Sequence, residues 1–267
     1  MKIATFASGS SGNCTLVSAG NTHILIDAGI SMKRIRMSLA GFGLAFDDLS
    51  GILITHSHSD HISGLSMLVK HTDLTIFAPH ILAGALRRAV AGVENCMHEI
   101  AVGEPFSLGQ TSVTAFPTSH DTEQSVGYII EADCRFGFCT DTGCVTEDML
   151  RVLSTSDAVL VEANHDVDML LAGRYPYYLK RRILSEHGHL SNEACGELAV
   201  RLAQSGARAV ILRHLSHENN TPQAARDAVW KALERAGFDP CGQIRLCVAP
   251  RSEVRCLTLE KDEICWG

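Results

Sequence analysis

The sequence contains no apolar run approaching the roughly 20 residues that a bilayer-spanning helix requires, so no membrane span is expected. Its opening stretch, MKIATFASGSSGN, turns polar after Phe6, too early for a secretory signal, and reads as a strand followed by a turn. None of the ten cysteines forms a C-x-x-C pair, which removes the usual zinc-finger and dithiol spacings. With no export signal, these scattered thiols, Cys139 and Cys144 among them, are expected to be reduced residues of a cytoplasmic protein. There is no excess of basic residues: a net charge of −7 argues against a surface that holds nucleic acid everywhere, though not against a local basic groove. The G-x-x-x-x-G-K-[ST] of a nucleotide-binding loop is missing as well. There is no internal repeat and no linker rich in proline, glycine and serine. The 267 residues, 46% of them hydrophobic, are therefore expected to form one domain over 1–267 that needs no disulfide staples.

What is present is a succession of short apolar or alternating runs of strand type. They are KIATF, CTLVS, THILIDAG, GILIT, DLTIFA, TSVTAF, SVGYIIE, RFGFCT, DAVLVE, ARAVILRH, QIRLCVA and VRCLTL. Helices are expected from Ser31 to about Ala40, over ISGLSMLVKH, from Pro79 through HILAGALRRAV, after Thr146, over 192–204, and after Thr221 with Pro222 in the first turn. Strands and helices alternating without a break predict an α/β chain with two sheets inside and helices outside.

The run THSHSDH (55–61) directly follows GILIT. His56 and His58 are one residue apart, so an extended backbone turns both to one side. Asp60 and His61 follow where the chain bends into a helix. Imidazoles with a nearby carboxylate suit zinc, iron or manganese, and buried together without an ion they would be short of partners. The alternative is a polar surface turn.

H-x-H-x-D-H after an apolar strand resembles the metallo-β-lactamase superfamily, whose fold is a four-layer αββα sandwich with a dinuclear metal site at the rim of its sheets. Further motifs match in order: ILIDAG with Asp27, PTSHD with His120, FCTDTG with Asp141, and VILRHLS with His214. The resemblance implies two divalent metal ions. One would be held by His56, His58 and His120, the other by Asp60, His61 and His214, with Asp141 between them and Asp27 supporting the ligand loop from behind. It implies a bridging hydroxide as nucleophile. The family's β-lactam hydrolases carry cysteine or serine where this chain has Asp141, which argues against that activity. SGSSGN (8–13), VEANHD (161–166), HDVDMLLAGRYPYYLKRRIL (165–184) and RHLSHENN (213–220) resemble the YycJ/WalJ group within the superfamily, associated with 5′-to-3′ DNA exonuclease action. A thioesterase or lactonase using the same ions is the alternative hydrolase.

The second half adds Arg174, Tyr175, Lys180, Arg181 and Arg182, with Tyr177 and Tyr178 between them. Cations hold phosphates and tyrosine rings stack on unpaired bases, so this stretch is the best contact for a nucleic acid; the alternative is a solvated helix start. By resemblance, His189 stabilises the transition state and protonates the leaving oxygen, aided by Glu162. Asp60 and His165 complete the catalytic candidates, although His165 could equally anchor its loop. Ser10, Ser11 and Asn13 are expected to line a substrate cleft. His217 competes with His214 as the late ligand, and the strand-end position favours His214.

Overall fold

The computed structural model describes residues 1–240, 242–260 and 263–267. The chain opens with β1 (Lys2–Ala7), β2 (Cys14–Ala19), β3 (Thr22–Ile26), α1 (Met32–Ala40), β4 (Gly51–Leu53), α2 (Ser59–Ile62), α3 (Leu65–His71), β5 (Ile76–Pro79), α4 (His80–Ala89) and β6 (Met97–Ile100). It continues through β7 (Pro105–Leu108), β8 (Thr111–Pro117), β9 (Val126–Glu131), β10 (Arg135–Cys139), α5 (Glu147–Leu153), β11 (Ala158–Glu162), α6 (Val167–Ala172) and α7 (Tyr177–Ile183). It closes with α8 (Asn192–Gln204), β12 (Ala209–Arg213), α9 (Pro222–Arg235), β13 (Arg245–Val248), β14 (Arg255–Leu259) and β15 (Ile264–Trp266).

Strand alternation decides the layers. Ile24 and Ile26 of β3 point one way and Leu25 the other. Among the described residues one sheet runs β15-β14-β1-β2-β3-β4-β5-β6 and the second runs β13-β12-β11-β10-β9-β8-β7. Their facing sides share a core of Ile3, Val17, Ile24, Leu53, Val113, Tyr128, Phe136, Phe138, Leu160 and Ile211. The outer face of the first sheet packs under α1, α3 and α4 through Leu25, Ile35, Leu65 and Leu82. The outer face of the second packs under α5, α8 and α9 through Val159, Leu198, Leu212 and Val229. This is the expected αββα order. Each fully buried Ile, Leu or Phe contributes about 1.5–3 kcal/mol, and truncating Phe136 to Ala would cost about 3–5 kcal/mol.

Strands β3 to β6 run parallel, as do β10 to β13. Their carboxyl ends gather on one rim, where α/β sheets place their ligands. The structure departs from the expected elements in several places. The helix expected over ISGLSMLVKH begins only at Leu65, as α3; Ile62 ends the separate α2, and Gly64 between them lies against the backbone of Ile30. A Cβ there would stand 2.2 Å from the Ile30 carbonyl oxygen. Pro79 ends β5 and caps α4 rather than sitting in its first turn. The short strands β6, β7 and β15 were not expected.

Candidate metal centre

Four of the rim histidines each commit one ring nitrogen to a supporting group of the protein. His61 donates from Nδ1 to Asp27 (2.7 Å), His120 to the Gly188 carbonyl (2.9 Å), and His214 to Glu162 (2.7 Å). His56 donates to the Thr55 hydroxyl (3.0 Å), which itself bonds Asp27. The opposite nitrogens of His56 and His214 are buried and have no hydrogen-bond partner. Buried polar atoms are almost always satisfied, so two such nitrogens turned toward the same cluster are the mark of a cation site. Four overlapping donor groups among the described residues are close enough to share ions: His56, His58 and His120; His56, His61 and Asp141; Asp60, His61 and His214; and Asp141, Glu162, His189 and His214. Imidazole and carboxylate donors in this number fit a dinuclear divalent site.

The charges are arranged unevenly. Burial first, and then the neighbouring His61, push His56 well below the usual imidazole range. Burial also opposes protonation of His214, but Asp141, Asp60 and Glu162 outweigh it and hold the ring well above that range. Burial would raise Glu162, yet the charge of His189 and hydrogen bonds from His189 and His214 bring it down to about 2. Glu162 is fully satisfied: His189 and His214 both donate to Oε1 (2.8 and 2.7 Å), and the Thr142 and Leu190 amides donate to Oε2 (3.1 and 3.2 Å). One carboxylate therefore aims two histidines.

Backbone geometry marks the same rim. Asp27 (φ 62°), Asp141 (φ 49°) and His214 (φ 56°) are the non-glycine residues with positive φ among those described. Each follows a strand carboxyl end, where the left-handed turn swings its side chain into the cluster. Strain of this kind concentrates at functional sites.

The seven residues expected to ligate, His56, His58, Asp60, His61, His120, Asp141 and His214, come together, with Asp27 behind His61 and Thr55. His217 lies outside the cluster, exposed beside Glu218. Of the cleft residues, Ser10 and Ser11 are exposed, but Asn13 is fully buried. Its side chain turns inward onto Asp60 and Arg213, so Asn13 does not line a cleft. His165 is also buried, its ring nitrogens are unpartnered, and burial lowers its pKa to about 4. His165 is not among the residues lining the cavity beside the cluster, and its unpartnered ring does not anchor its loop through side-chain hydrogen bonds.

That cavity, of about 160 Å³, is walled by His189, His214, Ser10, Asn164, Ser216 and one side of α7. The basic and aromatic stretch that reads as one patch in sequence divides here. Tyr175, Leu179 and Arg182 face the cavity, with Arg182 bonded to Asp121. Tyr177 and Tyr178 are each 75% exposed, and Arg181 lies over the Tyr177 ring. Arg174 is exposed, and Lys180 donates to the Leu171 carbonyl (2.6 Å).

Sequence reasoning missed Ser8, Thr55 and Arg213. Ser8 accepts the His214 amide (2.8 Å). Arg213 is fully buried between the sheets, 4.9 Å from the Phe138 ring centroid. Alternation along ARAVILR was the available signal, since Ala209 and Ile211 point inward and Arg213 shares their parity.

Residues 22–215 match the family model described as a beta-lactamase superfamily domain. The chain is 36% identical over 240 residues to the exodeoxyribonuclease YycJ of Bacillus anthracis, covering 89% of this chain and 91% of that one. It is 36% identical over 239 residues to the exodeoxyribonuclease WalJ of Streptococcus pneumoniae, covering 88% and 89%. Its fold is similar to that of the metallo-beta-lactamase fold protein YhfI from Bacillus subtilis, with a TM-score of 0.71 at 17% identity over 95% of this chain and 99% of that one.

Proposed function

The chain belongs to the metallo-β-lactamase superfamily, as a metal-dependent hydrolase in the group of the YycJ and WalJ proteins, and on that premise we propose that it is a phosphodiesterase that shortens DNA stepwise from a 5′ end. The observation that carries this reading is the shared wall. The helix bordering the cavity at the cluster presents Tyr177, Tyr178 and Arg181 on its other side. Exposed rings beside guanidinium groups suit unpaired bases and phosphates, and a small ester substrate has no use for them.

His56, His58 and His120 would hold one divalent ion and Asp60, His61 and His214 the other, with Asp141 between. Zinc is the first choice, with manganese or iron as alternatives that the same donors accept. When bound, the ions supply Lewis acidity and lower the pKa of water. Glu162 fixes His189 through Nδ1, which leaves Nε2 uncommitted for the cavity. Burial alone would deprotonate His189, but Glu162 and then Asp141 outweigh it and keep its pKa raised. A protonated His189 can then give its proton to the departing oxygen. Ser10, Arg174, Tyr175 and Arg182 would steer the strand, Arg182 acting from its bond to Asp121.

The test is cleavage of end-labelled single-stranded DNA, duplex DNA and RNA with Zn²⁺ or Mn²⁺, with Asp141→Asn as the control. Stepwise loss from the 5′ end of DNA, absent in the control, is the expected result. Shortening of RNA alone would replace DNA as the substrate. Turnover of a thioester or lactone but of no phosphodiester would overturn the reading.

A further inference from the structure

Asn13 and Arg213 lie beneath one half of the cluster and leave the other half untouched. The Asn13 amide has a fixed orientation. Its oxygen accepts the Gly9 amide (2.9 Å) and Arg213 Nη2 (2.7 Å). A guanidinium can only donate, so the opposite amide orientation would set donor against donor. The nitrogen therefore faces Asp60 Oδ2 (3.0 Å) and His61 Nε2 (2.9 Å). The backbone is clamped as well: Asn13 N donates to the Asp60 carbonyl (2.8 Å), and Gly29 N donates to the Asn13 carbonyl (2.8 Å). Gly29 is pressed so close that a Cβ would meet the Asp60 carbonyl oxygen at 1.6 Å.

Asp60 needs such a brace. It sits on the four-residue α2, whose first turn has no side-chain cap, and its side chain is 22% exposed. Asp141, by contrast, is almost wholly buried and accepts the Thr140 hydroxyl (2.7 Å). Among the described residues Asn13 is the only neutral donor to the Asp60 carboxylate. Arg213 is in turn held by little else. Its Nε and Nη1 have no hydrogen-bond partner, and the guanidinium rests on Phe138 and in the field of Asp27, Asp141 and Glu162. In the other half His56 and His120 are oriented by Thr55 and the Gly188 carbonyl, neither of which is hydrogen-bonded to Asn13.

We propose that Asn13, locked by Arg213, is a positioning residue that sets the Asp60 carboxylate and so governs only the ion held by Asp60, His61 and His214. This rests on the two-ion reading of the cluster. Supporting partners behind a ligand are worth about 10–100-fold in metal affinity. Asn13→Ala, left with a space that water can fill beside Arg213, is expected to lose one affinity and keep the other.

The experiment is a Zn²⁺ titration of the full chain against a chromophoric chelator, with metal counted per chain by mass spectrometry and no activity readout. The unchanged chain should hold two ions. Asn13→Ala should bind its second ion about 10–100-fold more weakly with the first unchanged. Arg213→Lys, which keeps a charge and a donor but not the fork, should show the same selective loss to a smaller degree. If Asn13→Ala does not fold, Asn13→Ser carries the same measurement. Two ions at unchanged affinity, or equal weakening of both, would overturn the proposal. An unchanged chain that holds no second ion would instead overturn the two-ion reading itself.

Discussion

Asp141 leaves 2% of its surface to solvent and Tyr177 leaves 75%, yet the helix that carries Tyr177 walls the cavity beside His214. The two regions are assembled differently. At the rim nearly every side chain has a second residue behind it: Asp27 behind His61, Glu162 behind His189 and His214, Gly188 behind His120. On α7 the outward tyrosines are open to solvent, with Arg181 over the Tyr177 ring. A rim so heavily cross-bonded suits chemistry that tolerates little displacement. An open aromatic face suits a polymer whose sequence varies. Changes at the rim should therefore affect every substrate, whereas changes on α7 should affect only long ones.

The largest expected effect comes from the rim. Asp141→Asn should lower kcat on both DNA and bis-p-nitrophenyl phosphate by on the order of a thousandfold, because it removes the carboxylate that would hold the charge-stabilising ions in place. A loss confined to DNA would break the comparison. His189→Ala should follow, with kcat down about 10²–10⁴-fold while metal analysis still finds two ions per chain. Full activity in that variant would remove His189 from the chemistry. Third, replacing Tyr177 and Tyr178 together by Ala should raise KM for single-stranded DNA about tenfold or more, since stacking is worth about 1–3 kcal/mol per base. Turnover of bis-p-nitrophenyl phosphate should not change, and an equal loss on both substrates would merge the two regions into one. The smallest effect is expected at their junction. Asp121→Asn frees Arg182, and because the side chains of this pair are 54% and 27% exposed its loss should alter DNA turnover by no more than about fivefold.

The rim was legible in the sequence because each ligand stands at or just after a strand end and is of a type that rarely gathers without an ion. THSHSDH, PTSHD, FCTDTG and VILRH each announce a donor by chemistry and by place. The strands that carry them were legible for the same reason, as short apolar runs. What supports the ligands was harder to see. Ser8, Thr55 and Arg213 are ordinary residue types whose roles depend on chain segments up to about two hundred positions away, such as Arg213 on Asn13. Asn13 was read as facing substrate because a loop of glycines and serines suggests an open cradle. In the fold Gly29 brings that loop against α2 and turns the side chain inward. The strands β6, β7 and β15 were missed because three or four residues are too few for alternation to register.

The left-handed backbone at Asp27, Asp141 and His214 has a consequence for the lifetime of the protein. Each such residue costs the folded chain about 1 kcal/mol or more, and no glycine relieves it. A chain of ordinary stability, about 5–15 kcal/mol, thus gives up a noticeable share of it to keep three side chains aimed at one point. Anything that binds only the folded form returns stability that grows with the logarithm of its concentration over its Kd. The melting temperature should then track the free concentration of divalent ions. In a cell short of metal the protein would meet proteases and chaperones more often, so that its abundance, and not only its turnover, would report the supply.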